Sequence, residues 1–318
     1  MPPSVDFLAI GDILIDMVVD EASGLDRVSG FKKCFGGAPG NFAVGVQRLG
    51  CKAGVIAKVG ADPFGQFLKH TLEREGVDVS QVTMCKERTS LAFVTAEPDY
   101  LFYRGADVEL NEKDISEPYI ANARFLHFSG FTLSAKKPMR AVYRAVRIAR
   151  KHGLTVSFAV NYRSDAWTKL EALKVYEKFL PYVDFILASD EEAQMLSGQD
   201  DPAMAARLIT RRGPKKAVVT LGSKGALLCE EQRTTFIPAF EVEPKDATGA
   251  GDGFAAGLMS SLARGSSLVE AGRFACAVGA LVTTRRGAIT AFPTLEGVKT
   301  FLLHARQKDN SEVGFDQE

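Results

Sequence analysis

The chain has 318 residues, of which 46% are hydrophobic, so it can bury a sizeable core as one large α/β domain. Its 39 basic and 39 acidic residues leave no formal net charge, which argues against a nucleic-acid-binding protein. No apolar run is long enough to span a membrane, and the N-terminus lacks the basic segment of a signal peptide. We therefore expect neither nucleic acid nor membrane as a partner.

Cysteine and histidine spacing indicates no metal or disulfide site. The five cysteines are odd in number and include no C-x-x-C pair, so neither a disulfide framework nor a zinc site is expected. The four histidines form no H-E-x-x-H motif. Unpaired cysteines fit a reducing compartment, and we expect a cytoplasmic protein.

Hydrophobic patterning predicts strands that alternate with helices along most of the chain. The predicted strands lie at residues 5–11, 53–60, 124–130, 154–160, 183–188 and 217–221, with hairpins at 89–96/100–104 and 226–229/234–237. The predicted helices lie at residues 41–49, 64–75, 138–152, 169–179, 191–196, 203–212, 250–263, 268–284 and 295–306. Such alternation is typical of a mostly parallel sheet covered by helices on both faces.

Two segments depart from this alternation. Residues 17–35 look irregular and could form a projecting flap, which together with the hairpin at 89–104 would make a small β-rich layer. The last residues, 308–318, are polar and are predicted to be disordered.

The most informative stretch is DATGAGD at residues 246–252, directly before a run of small residues that predicts a helix. Two glycines let the backbone bend tightly, and the N-terminus of the following helix favours an anion. Asp252 beside such an anion site would be useful as a base. The spacing matches neither the dinucleotide fingerprint nor the P-loop, and an ordinary loop with Asp246 or Asp252 as helix cap is the alternative.

Other polar candidates fall at the carboxyl ends of predicted strands, where parallel sheets bind ligands. Asp12 and Asp16 follow the first strand and could hold vicinal hydroxyls, or be ordinary turn aspartates. The stretch GGAPGN at 36–41 offers backbone N–H groups and the amide of Asn41 to a neutral polyol, or simply starts a helix.

Three further features have equally plain alternatives. Arg104 could pair with an anion or be solvated. Glu192, in the acidic stretch at 189–192, could serve Mg²⁺ or merely suit the helix dipole. The stretch TLGSKG at 220–225 could carry the phosphates or ribose of a nucleotide, or be a hairpin turn.

Taken together, these stretches resemble the ribokinase-like sugar kinase family of the phosphofructokinase B type. GGAPGN at 36–41 with VGADPFG at 59–65 is similar to the family's N-terminal signature, and DATGAGD at 246–252 to its C-terminal one. The match spans about residues 5–293. Within the family, RTSLAFVT at 88–95, FYRGAD at 102–107 and Ser189 before three acids are similar to fructokinases.

The resemblance implies a three-layer α/β/α sandwich with a mostly parallel central sheet and a small β-sheet lid. Residues 1–318 would form a single kinase domain, with the lid built from about 13–35 and 86–108. Because such lids often pair between subunits in this family, it also implies a homodimer through the lid sheets.

The resemblance further implies a mechanism and a set of site residues. Asp252 would take the proton from the sugar hydroxyl, and the N–H groups of Gly249, Ala250 and Gly251 would form the anion hole for the transferred phosphate. The implied sugar-binding residues are Asp12, Asp16, Gly36, Gly37, Asn41, Phe102, Arg104, Asn161, Arg163 and Asp252. The implied ATP-binding residues are Ser189, Thr220, Gly222, Gly225, Gly249, Gly251, Cys276 and Gly279.

Magnesium would be held through water by Glu192, and K⁺ by the loops that contain Asp246, Thr248, Arg285 and Gly287. The sequence departs from the family at Ala159, where aspartate is usual, and at Ala247, where threonine or serine is common.

We expect an ATP-dependent kinase that converts D-fructose to fructose 6-phosphate. The alternatives are a 2-keto-3-deoxygluconate or other sugar-acid kinase, a nucleoside kinase, and a catalytically silent sugar-binding protein. Ala159 favours the silent protein, whereas the intact loop at 246–252 argues against it.

Overall fold

The computed structural model describes residues 5–19, 25–95 and 100–305. The tail predicted at 308–318 and the hairpin turn at 97–99 lie outside these residues. The strands, in chain order, are β1 (Phe7–Ile10), β2 (Leu14–Val18), β3 (Lys32–Gly36), β4 (Ala53–Gly60), β5 (Asp78–Cys85), β6 (Leu91–Val94), β7 (Tyr100–Tyr103), β8 (Phe125–Ser129), β9 (Thr155–Ala159), β10 (Phe185–Ser189), β11 (Lys216–Thr220), β12 (Gly225–Glu230) and β13 (Arg233–Pro238).

The large sheet has nine strands in the order β13-β12-β11-β10-β9-β8-β1-β4-β5. The seven strands from β11 to β5 are parallel to their neighbours, and only the β11-β12-β13 edge is antiparallel. The predicted mostly parallel sheet is therefore confirmed. Its seven parallel strands end at one edge, where ligands of such sheets bind.

Helices cover both faces of this sheet. They are α1 (Ala38–Arg48), α2 (Pro63–Arg74), α3 (Glu117–Ala121), α4 (Lys136–Lys151), α5 (Lys169–Tyr176), α6 (Asp190–Ser197), α7 (Pro202–Thr210), α8 (Ala250–Ala263), α9 (Leu268–Thr283) and α10 (Leu295–His304). In β1, Phe7 and Ala9 pack in the core beneath α1, α8 and α9, whereas Leu8 and Ile10 pack in the core beneath α4. This alternation of a strand buried on both faces produces the three predicted layers.

A separate small sheet has the strand order β3-β2-β6-β7. The predicted hairpin is confirmed as β6 and β7, with Leu91 opposite Tyr103. The expectation that residues 17–35 are irregular was wrong at both ends, because β2 and β3 pair there. Leu14, Ala92 and Val94 pack on Phe131, which follows β8, and this apolar contact holds the small sheet against the carboxyl edge of the large one.

Some elements differ from the sequence expectations. The edge strand β5 and the short helix α3 were not predicted; within β5 only Val82 is buried, so its pattern is weak. Helix α1 begins at Ala38, three residues before the predicted start, because Pro39 is well tolerated in a first helical turn. In the described part of the chain, no helix is long and apolar enough to cross a membrane.

Candidate active site

A small polar cavity of about 90 Å³ lies at the carboxyl edge of the large sheet, beneath the small sheet. Asp12 follows β1, Asn161 follows β9, and Asp252 stands in the first turn of α8. The cavity is lined by Asp12, Leu14, Asp16, Gly37, Ala38, Asn41, Phe102, Phe131, Asn161, Arg163, Thr248, Gly249 and Asp252. The fold thus gathers eight of the ten predicted sugar-binding residues around one space.

Unusual backbone conformations help to shape this cavity. Gly37, before α1, has a φ of 100°, and a Cβ there would lie 2.4 Å from the carbonyl oxygen of Asp12. Asn161 adopts a φ of 37°, which is uncommon for a residue with a side chain. Local strain of this kind is typical of ligand sites.

Gly36 and Arg104 are the two predicted sugar-binding residues that do not line the cavity. Gly36 lies behind it, where a Cβ would come within 2.3 Å of the Asp16 carboxyl group. Arg104 forms a salt bridge with the fully buried carboxyl group of Asp107, and its guanidinium lies 4.2 Å from the ring centre of Phe131. Arg104 therefore lies behind the cavity wall, where its contacts with Asp107 and Phe131 stabilise that wall.

Asp252 has the contacts and the pKa of a candidate base. The amide Nδ2 of Asn41 donates to its Oδ2 at 2.8 Å. Desolvation raises the pKa of Asp252 to about 6, although the hydrogen bond from Asn41 and the charge of Arg163 oppose this shift. Its side chain is partly exposed to the cavity, but protein atoms surround it closely enough to remove most of its hydration.

The other two carboxyl groups of the cavity are also shifted. Burial, followed by the charge of Asp252, raises the pKa of Asp16 to about 7. Burial raises the pKa of Asp12 as well, and a hydrogen bond from Thr132 opposes that rise. Three carboxyl groups and one guanidinium, that of Arg163, therefore line one small cavity, so the cavity favours a ligand that offers hydrogen-bond donors.

The loop at residues 246–252 forms the wall between this cavity and a larger one. Thr248, Gly249 and Asp252 line the small cavity, whereas Ala247, Ala250 and Gly251 line the larger cavity. A group bound in the larger cavity would thus meet a group in the small cavity at this loop.

Not every predicted anion-hole donor is available. Gly249 caps α8 with a φ of 78°, and the N–H of Ala250 donates to the carbonyl of Ala247 at 3.0 Å. The expectation for Ala250 needs correcting, because its N–H is already used within the loop. Within residues 5–19, 25–95 and 100–305, no backbone acceptor receives the N–H of Gly251. Gly251 lines the larger cavity, and a Cβ built on it would meet no atom within 4 Å.

The larger cavity has a volume of about 490 Å³ and is lined mainly by apolar and small residues. Its lining includes six of the eight predicted ATP-binding residues, namely Thr220, Gly222, Gly225, Gly251, Cys276 and Gly279. The lining also contains residues that the sequence did not indicate, among them Ala239, Phe240, Glu241, Val242 and Pro244 after β13, and Ala280 and Thr283 in α9. In the sequence, Phe240 and Val242 are ordinary apolar residues between a strand and a loop, and no motif marks them as ligand-binding.

Ser189 and Glu192, which were predicted for ATP and Mg²⁺, line neither cavity. Ser189 caps α6, and its Oγ accepts the N–H of Glu192 at 3.1 Å. The Glu192 carboxylate accepts the N–H groups of Tyr162 at 2.8 Å and Ser189 at 2.9 Å. These contacts make Glu192 a tie between the ends of β9 and β10.

The two loops predicted for K⁺ meet in the structure. The carboxylate of Asp246 accepts the N–H of Thr248 at 2.9 Å and that of Gly287 at 2.7 Å. Burial alone would raise the pKa of Asp246, but these hydrogen bonds outweigh it and the pKa is lowered. Across the described ranges no group of three or more His, Cys, Asp or Glu residues could hold a metal ion. A hard cation there would need backbone carbonyls or ligand oxygens.

Comparison with known proteins identifies the family of this chain. Residues 6–295 match the pfkB family carbohydrate kinase model. The chain belongs to this family. It is 36% identical over 299 residues to a fructokinase from Klebsiella pneumoniae, covering 89% of this chain and 95% of the relative.

Solved structures agree with the family assignment. A ribokinase II candidate from Escherichia coli in complex with ATP and Mg²⁺ has a TM-score of 0.88 at 28% identity, covering 94% of this chain and 99% of that one. A fructokinase from Vibrio cholerae bound to fructose, ADP and calcium has a TM-score of 0.85 at 29% identity, covering 94% and 99%. The protein is thus an ATP-dependent sugar kinase with the ribokinase-like fold.

Proposed function

We propose that this kinase phosphorylates D-fructose to fructose 6-phosphate in the cytoplasm. The observation that carries the proposal is the loop at 246–252, which places Asp252 in a small acidic cavity and Gly251 in a large apolar one. Similarity to the Klebsiella pneumoniae and Vibrio cholerae fructokinases supports the choice of sugar. A cytoplasmic location is consistent with the five cysteines, which are all free.

In the proposed reaction, Asp252 accepts the proton of the sugar 6-hydroxyl. The hydroxyl oxygen attacks the γ-phosphorus of ATP, the bond from that phosphorus to the bridging oxygen breaks, and ADP leaves. With a pKa of about 6, Asp252 is mostly ionised at neutral pH and still basic enough to receive a proton. Asn41 holds one carboxylate oxygen and so leaves the other for this transfer.

The transferred phosphoryl group would be stabilised by the N–H groups of Gly249 and Gly251 at the N-terminus of α8. An N–H aimed at developing negative charge is worth about 2.7–4 kcal/mol in such sites. ATP would lie in the larger cavity, with Gly222 and Gly225 near its phosphates or ribose and Cys276 and Gly279 near adenine. Bound Mg²⁺ would supply charge neutralisation to the phosphates, which can provide most of its ligands.

The charges around the small cavity favour a neutral sugar over a sugar acid. A sugar-acid kinase needs cations for the substrate carboxylate, and Arg104 is held by Asp107 outside the cavity lining. That leaves Arg163 against Asp12, Asp16 and Asp252. An anionic sugar would thus meet repulsion, whereas sugar hydroxyls can donate to each carboxylate.

A nucleoside is the second candidate, because two aromatic rings line the small cavity. Phe102 and Phe131 lie 4.6 Å apart between ring centres. Such rings could stack on a base, although they already pack on each other. The silent sugar-binding alternative rests on Ala159 alone and is opposed by the complete arrangement of Asp252, Asn41 and Gly249.

We also propose that the small sheet forms the lid and a homodimer contact. Three large hydrophobic residues on or beside it are well exposed, namely Phe31 at 42%, Leu101 at 44% and Tyr103 at 59%. Pairing of two lids would bury these side chains. We further propose that a K⁺ ion binds close to Asp246 and Gly287.

The test measures ADP release from Mg-ATP with fructose, 2-keto-3-deoxygluconate, ribose, adenosine and inosine. Fructose should give the highest kcat/KM. A higher value for 2-keto-3-deoxygluconate would contradict the charge argument, and a higher value for adenosine or inosine would establish the nucleoside alternative. If no compound increases ADP release while fructose still binds in calorimetry, the silent-binder alternative replaces the proposal.

A further inference from the structure

A short 3₁₀ turn, Phe131–Ser134, follows β8 and reaches the small cavity from behind. Its second residue, Thr132, is buried, and its Oγ1 donates to Oδ1 of Asp12 at 2.5 Å. The two residues are separated by 120 positions in the sequence. Neither the sequence motifs nor the proposed reaction assigns a role to this threonine.

The fold makes specific room for the Thr132 hydroxyl. Gly11, immediately before Asp12, has a φ of 143°, and a Cβ at this glycine would lie 2.1 Å from Oγ1 of Thr132. The same Oγ1 lies 3.4 Å from the backbone nitrogen of Asp12, whose N–H it accepts. The hydroxyl thus connects the backbone and the carboxyl group of one residue, which fixes the side-chain torsion between them.

We propose that Thr132 is a positioning residue for the sugar, because it holds Oδ1 of Asp12 and leaves Oδ2 for sugar hydroxyls. This inference rests on the proposed sugar kinase function and adds a recognition residue to it. Thr132 does not line the cavity, so it acts only through Asp12. The adjacent Phe131 does line the cavity, and Ser134 receives a hydrogen bond from Arg104, so one turn supports the site at three points.

The hydroxyl also matters for the charge of Asp12. Desolvation raises the pKa of Asp12, and the hydrogen bond from Thr132 is the largest influence that lowers it. The other charged groups that face Asp12 or its cavity are Arg104, Asp107, Asp16, Asp252 and Arg163. Without the Thr132 donor, Asp12 would therefore lose both its orientation and part of its tendency to ionise.

The first test compares Thr132→Val, which keeps the shape but removes the donor, with Thr132→Ser, which keeps the donor. Thr132→Val should raise the KM for the sugar by about 10- to 100-fold, the range expected for a hydrogen bond to a charged group. It should leave the KM for ATP within about twofold, because ATP is proposed to bind in the other cavity. Thr132→Ser should stay close to wild type in both constants.

The second test does not depend on turnover. Carbon-13 NMR of labelled aspartate, assigned with Asp12→Asn, follows the pKa of Asp12 in each folded variant. Thr132→Val should raise that pKa relative to wild type, and Thr132→Ser should not. If Thr132→Val fails to fold, Thr132→Cys, with a weaker donor, takes its place with the same expectation.

Unchanged sugar KM and unchanged Asp12 titration in the valine variant would overturn the inference, as would equal effects of valine and serine. If wild type phosphorylates no sugar, the proposed function fails, but the NMR comparison still decides whether Thr132 controls Asp12. Failure of one proposal is therefore distinguishable from failure of the other.

Discussion

The two cavities that meet at the loop 246–252 are lined by chemically different residues. The small cavity presents the carboxyl groups of Asp12, Asp16 and Asp252, and the larger one presents mostly apolar and small residues such as Phe240 and Gly279. Recognition in the small cavity therefore depends on side-chain chemistry, whereas recognition in the larger cavity depends on shape and backbone. Substitutions in the loop 246–252 should therefore affect recognition in one cavity without affecting recognition in the other.

The two cavities also differ in how much their lining residues cost in folding stability. Burial is the main cause that raises the pKa values of these carboxyl groups, to about 7 for Asp16 and about 6 for Asp252, and the charge of a neighbouring carboxylate adds to it. The apolar cavity has no comparable cost. The small cavity is thus a region where stability is given up for function, which is common in active sites.

Among the variants that leave the proposed base Asp252 in place, the largest expected effect is that of Gly249→Ala on the phosphoryl transfer step. An added Cβ would lie 2.8 Å from Cβ of Ala288, and the φ of 78° is unfavourable for alanine. The displaced N–H would lose contact with the phosphoryl group, so kcat should fall by about 10²- to 10³-fold. Steady-state kinetics with fructose and Mg-ATP measures this, and an unchanged kcat would remove Gly249 from the proposed anion hole.

A smaller effect is expected on stability in Asp252→Asn. Because the folded-state pKa of Asp252 is raised to about 6, its contribution to stability is complete below about pH 4 and is lost as the pH rises through 6. The uncharged asparagine avoids this loss, so the variant should be more stable than wild type by about 1–3 kcal/mol at pH 8. Denaturant unfolding at pH 8 and near pH 4 measures the difference.

The gain should shrink towards zero near pH 4, where wild-type Asp252 is protonated in the folded state. A stability difference that does not vary with pH would show that Asp252 is not desolvated as described. Asp16→Asn serves as a second case, because burial also raises the pKa of Asp16.

The smallest expected effect is that of Gly251→Ala, which is the matched control for Gly249→Ala. A Cβ at Gly251 meets no protein atom within 4 Å, so the fold should tolerate it. Its methyl group would enter the larger cavity and raise the KM for ATP by about tenfold, or roughly 1.4 kcal/mol. Sugar affinity, measured by calorimetry, should not change, and a loss of sugar binding would contradict the division between the cavities.

Much of the fold could be predicted because parallel strands buried on both faces and amphipathic helices leave clear patterns. The motifs at 36–41 and 246–252 also indicated where the site lies, and the structure brings Asp12, Asn41 and Asp252 together there. The edge strand β5 escaped because most of its residues are only partly buried or exposed. Edge strands bury too few side chains to give a strong periodic signal.

The missed parts of the site are contacts, one long-range and two local, that a single sequence does not reveal. Thr132 and Asp12 lie 120 positions apart, and nothing local marks the threonine. Arg104 was expected at the sugar, but Asp107, three residues later in a 3₁₀ turn, holds its guanidinium. The N–H of Ala250 was expected to be free, and only the turn geometry shows that Ala247 accepts it.

The role proposed for Asp252, removal of the proton from the sugar hydroxyl, is tested by comparing fructose phosphorylation and fructose binding in wild type and Asp252→Asn. Without the base, kcat should fall by about 10²- to 10⁴-fold. Fructose affinity, measured by calorimetry without nucleotide, should stay within about tenfold, because Asp12, Asp16 and Asn41 still line the cavity. A variant that binds fructose and phosphorylates it at the wild-type rate would contradict the assignment.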